Sequence, residues 1–272
     1  MSQKLRVSVV IPVYNEGQRI AACLQALAAQ TVRPYEVIVV DNNSTDTTVA
    51  IAQSFPFVKL VTAKRQGVVH ARDRGFNAAR GEIIGRIDAD THLPADWVAT
   101  VQQLFADSDV AALSGAVTYH DMPFSAVLSR VDLALRRRAA ARMANHVFVQ
   151  GANMALRRSA WLQVRSRLCR RGGLHEDYDV AIHLDEMGYT VEFREDLAAS
   201  ISARCLDDTI ADFWTYALLS PGTYAQHKVR AGRQMYLIVF LVLMFHVPLR
   251  ALYRAANSAA NYHRVNPATF VD

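Results

Sequence analysis

Cysteine is scarce and carries no pattern: Cys23, Cys169 and Cys205 are the only three in 272 residues. They form no Cys-x-x-Cys pair and no disulfide framework, which excludes a small disulfide-held scaffold and points to a reducing compartment. No Gly-x-Gly-x-x-Gly follows the first strand-like run at Ile11, which weighs against a dinucleotide-binding dehydrogenase. Internal repeats are absent, and no Pro-, Gly- or Ser-rich linker separates two folding units. Long apolar runs are missing too. Residues 235–247 form a mainly apolar stretch closed by Pro248, shorter than the roughly 20 residues needed to cross a bilayer.

What is there suits a folded α/β protein. Apolar residues make up 51% and charged ones 20%, which excludes a disordered tail or a low-complexity scaffold. The net charge of +5 is unevenly placed: residues 130–171 hold eleven Arg against the single Asp132. The remainder of the chain is slightly acidic.

Strand and helix patterns alternate over the first hundred residues. Residues 7–11 read as a buried strand, and 16–30 place Ile20, Leu24, Leu27 and Ala28 on one helical face. Residues 36–40 form a second buried run, and 44–54 a helix opened by a Ser/Thr/Asp cluster suited to capping. Strand 58–62, helix 68–79, strand 82–87 and a helix from Pro94 follow. This succession predicts a Rossmann-type sheet of parallel strands with helices on both faces. Beyond it, 110–119 reads as strand, 125–144 as a basic helix, 147–149 as a short strand and 176–187 as a helix closed by Gly188.

Ligands on such sheets sit at the carboxyl ends of the strands, so the polar residues there are the candidates. Asp88-Ala89-Asp90 follows the fourth strand, and alternation in extended chain points both carboxylates to one side. Hard Mg²⁺ or Mn²⁺ prefers such oxygens and leaves positions for phosphate. Glu176-Asp177 opens a helix, where acids also complement the helix dipole.

Four motifs stand in one order: Pro12-Val13-Tyr14-Asn15-Glu16, then Asp41-Asn42-Asn43-Ser44-Thr45-Asp46, then Gly67 through Gly75 with Arg80-Gly81-Glu82, then Asp88-Ala89-Asp90. Over about residues 5–190 the chain resembles the inverting family 2 glycosyltransferases, which have the GT-A fold. The resemblance implies that Pro12, Tyr14, Glu16 and Asp41 line the nucleoside pocket, Asp41 on the uracil imide and Glu16 on the ribose. Arg72 would approach the base or diphosphate, Asp88 the ribose or a metal-bound water, and Asp90 the metal itself. Asp177 would be the catalytic base, with Gly151, Asn153 and Glu176 on the acceptor side. Two departures are Asp73, where the family usually has Asn, and Thr91, where a third acid often follows.

The expected activity is therefore transfer of one sugar from a nucleotide sugar, UDP-linked, to a hydroxyl or lipid-phosphate acceptor with inversion, in cell-envelope glycan or glycolipid synthesis. Residues 226–230 lack the Gln-x-x-Arg-Trp of processive synthases, which favours single addition. A noncatalytic nucleotide-sugar-binding protein is the rival reading. Nucleic acid is not an expected partner, because no zinc pattern or aromatic-interleaved basic strand accompanies the Arg segment. The expected division is a catalytic domain over 1–230, its donor half about 5–120 and its acceptor half about 121–230, and an apolar, basic helical tail over 231–272. That tail reads equally as an interfacial membrane helix, a docking helix or a dimer contact. A strand-like run begins by about residue 5, so no signal peptide is expected ahead of it, and the expected place is the cytoplasm or the inner membrane face.

Overall fold

Valine and isoleucine runs buried on both faces make the centre of the sheet. The computed structural model describes residues 4–142, 149–170, 173–229 and 232–265. Strands β1 (Val7–Val13), β2 (Glu36–Asp41), β3 (Val58–Thr62) and β4 (Ile83–Ile87) alternate with helices α1 (Ile20–Ala28), α2 (Thr48–Gln53) and α3 (Val68–Ala78). Then follow α4 (Trp97–Ala106), β5 (Ala112–Tyr119), α5 (Ser125–Arg142), β6 (Asn153–Arg157), α6 (Arg158–Val164), α7 (Glu176–Glu186) and β7 (Val191–Ile201). Helices α8 (Ile210–Gln226) and α9 (Gly232–Val265) close the order.

The sheet runs β3-β2-β1-β4-β6-β5-β7. β1 pairs in parallel with β2 and β4, and β2 with β3, as the alternating pattern requires. β6 then enters antiparallel between β4 and β5, so the sheet is mixed and not wholly parallel. Period-two alternation along β1 divides the core. Val7, Val9, Ile11 and Val13 face Ile20, Leu24 and Leu27 of α1 and Trp97, Val101 and Phe105 of α4. Val10, on the other face, joins Phe76 of α3, Trp161 of α6 and Leu184 of α7. Each such large side chain, fully buried, stabilises the fold by about 1.5–3 kcal/mol. Gly75 lets α3 lie close on the sheet, because a Cβ there would come within 2.4 Å of Val10 Cγ1.

Some elements differ from the sequence reading. Helices α1 and α2 start later than expected, because the residues before them form the loops at the strand ends. β6 is only five residues long, and β7 is interrupted by Glu192, Arg194, Glu195 and Asp196, so neither has a clear strand pattern. α8 carries an internal Pro221 and starts at a Thr209 cap that accepts from Asp212 N. Of the expected strand 147–149, residues 147 and 148 lie outside the described residues and Val149 is in no strand.

The chain divides into two compact units, 1–118 with 132–172 and 176–201, and 119–131 with 173–175 and 202–272. The boundary expected at 230/231 lies inside the second unit. Within that unit, Asp121 accepts from Tyr253 Oη (3.2 Å) and Ala203 N (2.7 Å), above a small core of Met122, Ala203 and Tyr253. Phe213 of α8 stacks on His246 of α9 at 3.8 Å.

Asn153, expected on the acceptor side, is a core residue. Its side chain is fully buried, with Nδ2 donating to Ala116 O (2.9 Å) and Leu197 O (2.7 Å) and Oδ1 accepting from Trp97 Nε1 (2.9 Å). The amide is consumed in joining β6 to its neighbours, because an unpaired polar group at that depth would be costly. Asn153→Ala leaves three buried groups without partners at about 1–3 kcal/mol each, so a loss of at least about 3 kcal/mol is expected in urea unfolding. An unchanged midpoint with lost activity would return Asn153 to the acceptor side.

Candidate active site

The ends of β1 and β2 lie side by side, Val13 opposite Asp41, so the loops after them meet. Asn15 sits in the left-handed region at φ 55°. From there its Oδ1 accepts from Thr45 N (2.8 Å) while its own N donates to Ser44 Oγ (3.1 Å). Glu16 N donates to Thr48 Oγ1 (2.7 Å), and Asp41 Oδ1 accepts from Ser44 N (3.0 Å). Glu16 and Asp41 are thereby held, both mostly buried, while Tyr14 is half exposed. Asn42 was not singled out by the motif, yet it organises the neighbouring loop. Its Nδ2 donates to Ala63 O (2.8 Å) and Arg65 O (2.7 Å), and its Oδ1 accepts from Gly67 N (2.7 Å).

β4 delivers Asp88 and Asp90. Asp88 N donates to Thr91 Oγ1 (3.1 Å), and Thr91 Oγ1 in turn bonds Ala152 O (3.2 Å), so Thr91 shapes the turn where an acid was the alternative. Asp90 is 8% exposed. The Asp88 side chain is 40% exposed. Burial, helped by Asp90 and Asp88, pushes the nearby Cys23 thiol far above its usual range and keeps it protonated. Carboxylate oxygens are the ligands that hard divalent cations prefer.

Arg86 is the site residue that motif reading passed over. It lies inside β4, buried, with Nη1 2.7 Å from Glu176 Oε1 and Nη2 3.5 Å from Asp88 Oδ1. Burial alone would lower its pKa, but Glu176, Asp88 and Asp177 more than offset this and raise it above the ordinary guanidinium value. A charged residue in an otherwise apolar strand, Ile83-Ile84-Gly85-Arg86-Ile87, was the available signal.

On the facing side, Asp177 Oδ2 accepts from Gly151 N (2.8 Å) and Oδ1 from Tyr178 N (2.9 Å). A Cβ at Gly151 would stand 2.0 Å from Arg86 Nη1, so a side chain there would have to displace the guanidinium. Arg72, expected at the base or diphosphate, is 0% exposed. Its Nη1 donates to Glu176 O (2.5 Å) and its Nη2 to Asp73 Oδ1 (2.7 Å). It acts as a bracket between α3 and α7, its N–H groups donating to fixed oxygens. Asp73 also receives Arg170 Nε at 3.2 Å, so an acid suits this position. The structure thus joins Arg86, Asp88, Gly151, Glu176 and Asp177 in one network. Pro12, Tyr14, Glu16 and Asp41 lie at the neighbouring strand ends. Within the second unit, His175 N donates to Thr223 Oγ1 (2.9 Å) and its ring meets Tyr216 edge-on.

The family model described as "Glycosyl transferase family 2" matches residues 8–164, more than half of the chain. Glycosyltransferase AglE of Haloferax volcanii is 35% identical over 120 residues, 42% of this chain and 40% of that protein. The uncharacterized glycosyltransferase YibD of Escherichia coli K12 is 31% identical over 114 residues, 40% of this chain and 33% of that protein. The matched region thus spans well under half of these curated relatives. Among solved structures, the mannosyltransferase PcManGT of Pyrobaculum calidifontis, in complex with GDP-Man and Mn²⁺, has a TM-score of 0.65. It is 24% identical and covers 95% of this chain and 76% of that one. Glucosyl-3-phosphoglycerate synthase of Mycobacterium tuberculosis, in complex with Mn²⁺, UDP and glucosyl-3-phosphoglycerate, has a TM-score of 0.54 at 20% identity, over 79% of this chain and 78% of that one. The architecture is that of the GT-A fold.

Arg86→Met removes the cation and leaves Glu176 buried and unpaired, a change that costs about 3–5 kcal/mol when one partner of a buried pair is lost. The expected result is a matching fall in unfolding free energy, with a smaller fall for Arg86→Lys, which keeps the charge without the fork. A loss under about 1 kcal/mol for the Met variant would show that the pair does not hold α7 to β4.

Proposed function

The chain belongs to glycosyl transferase family 2, and from that premise we propose that it transfers a single sugar from a UDP-linked donor to an acceptor hydroxyl or lipid phosphate, with inversion, in cell-envelope glycan or glycolipid synthesis. The observation that carries this reading is the joining of the strand-end Asp88 to Glu176, the neighbour of Asp177, through the buried Arg86. Asp41 and Glu16 take the nucleoside, with Tyr14 and Pro12 beside them. Asp88 and Asp90 fit Mg²⁺ or Mn²⁺, because they offer carboxylate oxygens, which such hard cations prefer. The Mn²⁺ in both solved neighbours supports this. Such a cation supplies charge to the departing diphosphate.

Asp177 receives the proton of an acceptor hydroxyl as its oxygen attacks the anomeric carbon. Its carboxylate accepts hydrogen bonds from Gly151 N and Tyr178 N, which orient it for this. Glu176 is neutralised by Arg86, so it is not the proton acceptor in this reading. Asp177→Asn keeps the size and loses the base. Turnover should fall at least about 10²-fold with donor affinity nearly unchanged. Calorimetric titration of UDP with and without Mn²⁺, on the parent and on Asp90→Ala, completes the test. Near-normal turnover by Asp177→Asn, or metal-independent UDP binding in the parent, would sink the assignment.

The same reading places the protein at the cytoplasmic face of a membrane, with a lipid-linked acceptor. No helix among the described residues is long and apolar enough to cross one. Trp214 and Leu218 of α8 and Phe240, Met244 and Phe245 of α9 are nevertheless exposed. Residues 213–271 contain no acid but six Lys or Arg. Apolar insertion then supplies the salt-resistant part of binding, and each basic residue adds about 1 kcal/mol that salt screens. Phe240→Asp with Phe245→Asp should release the full chain from anionic liposomes in a sedimentation assay, and high salt should only weaken the parent. Failure of the parent to co-sediment would point to a soluble acceptor.

A further inference from the structure

Three metal-ligating atoms meet where Cys169 packs against one face of α7, and none belongs to the donor or acceptor sets. Asp179 and His183, four residues apart, share that face. His183 Nε2 lies 3.4 Å from Asp179 Oδ1 and 4.0 Å from Cys169 Sγ. The three ligand atoms all fall within 4.8 Å of one another.

We propose that Cys169, Asp179 and His183 form a zinc site. The donor set is the soft and borderline mixture that zinc selects, and it contrasts with the all-oxygen pair at Asp88 and Asp90. Tetrahedral bonds of about 2.0–2.3 Å put nitrogen and oxygen ligands about 3.4 Å apart and nitrogen and sulfur about 3.6 Å apart. The first separation is already present, and the second needs a contraction of about 0.4 Å, within reach of one χ adjustment.

The surroundings fit as well. His183 Nδ1 is 2.9 Å from Glu186 Oε2, the carboxylate–histidine arrangement that orients the ring and leaves Nε2 for the metal. Asp179 is 1% exposed, and its other oxygen accepts from Cys169 N at 2.9 Å, which holds the thiol beside the helix. Binding displaces the thiol proton of Cys169. The ion would pin the Cys169 turn to the helix whose first turn carries Asp177. The inference does not depend on the sugar-transfer reading.

Co²⁺ titration of the full chain, freed of metal and kept reduced, is the direct test. One equivalent should produce a thiolate-to-cobalt charge-transfer band that disappears in Cys169→Ser and persists in Cys23→Ala and Asp90→Ala. Competition with a chromophoric chelator should show Zn²⁺ affinity reduced at least about tenfold in His183→Gln and at least about tenfold in Glu186→Gln. Absence of the band in the parent, or a band that survives Cys169→Ser, would overturn the site. So would unchanged Zn²⁺ affinity in His183→Gln. Since Asp90→Ala removes the donor-side carboxylate, retention of the band there separates this site from failure of the donor reading.

Discussion

A guanidinium buried in the middle of a sheet cannot be left without counter-charge, and Arg86 imposes that condition on everything around it. Desolvating one such ion costs several kcal/mol after relaxation, more than any single apolar contact nearby supplies. Glu176 at 2.7 Å meets most of the demand, and Asp88 at 3.5 Å adds to it. The start of α7 is therefore tied to the end of β4 by charge, and not by apolar packing alone.

That tie organises the site chemistry. With Glu176 committed to Arg86, Asp177 is the member of the pair whose oxygens accept from the backbone amides of Gly151 and Tyr178. Arg72 repeats the device from the other side, reaching from α3 to the Glu176 carbonyl while Asp73 neutralises it. Gly151 follows from the same geometry, because any side chain there would collide with Arg86. Two buried arginines thus fix the acidic helix start against a sheet whose strand ends carry the other carboxylates. Buried ion pairs of this kind contribute orientation more than net stability.

Residues outside this network do a different job. Asn153 and Trp97 tie the antiparallel β6 into the core on the far side of β4, so the strand bearing Asp88 is held on both edges. The second unit has its own small core and its own α8 and α9 pair, with large apolar side chains left facing solvent. Family 2 membership concerns residues 8–164, and the partner of that exposed surface is a separate physical question.

The parallel half of the fold was legible in the sequence because its signals are local. Valine and isoleucine runs, helical periodicity and Asp or Asn at strand ends are read within a few residues, and the ordered motifs fall at the strand termini. β6 and β7 were not legible, since a five-residue strand and one broken by charges owe their form to hydrogen bonds from neighbours distant in the chain. Arg72 and Asn153 show the same limit at single residues: their types suit ligand contact, yet the partners that consume their polar groups lie 104 and 44 residues away. The sequence by itself determined the alternation, the strand-end carboxylates and the family; tertiary structure alone decided which polar groups are consumed by burial and pairing. Burial and pairing depend on long-range packing, and a buried charge such as Arg86 acquires its role only when its counter-ion arrives from elsewhere in the chain.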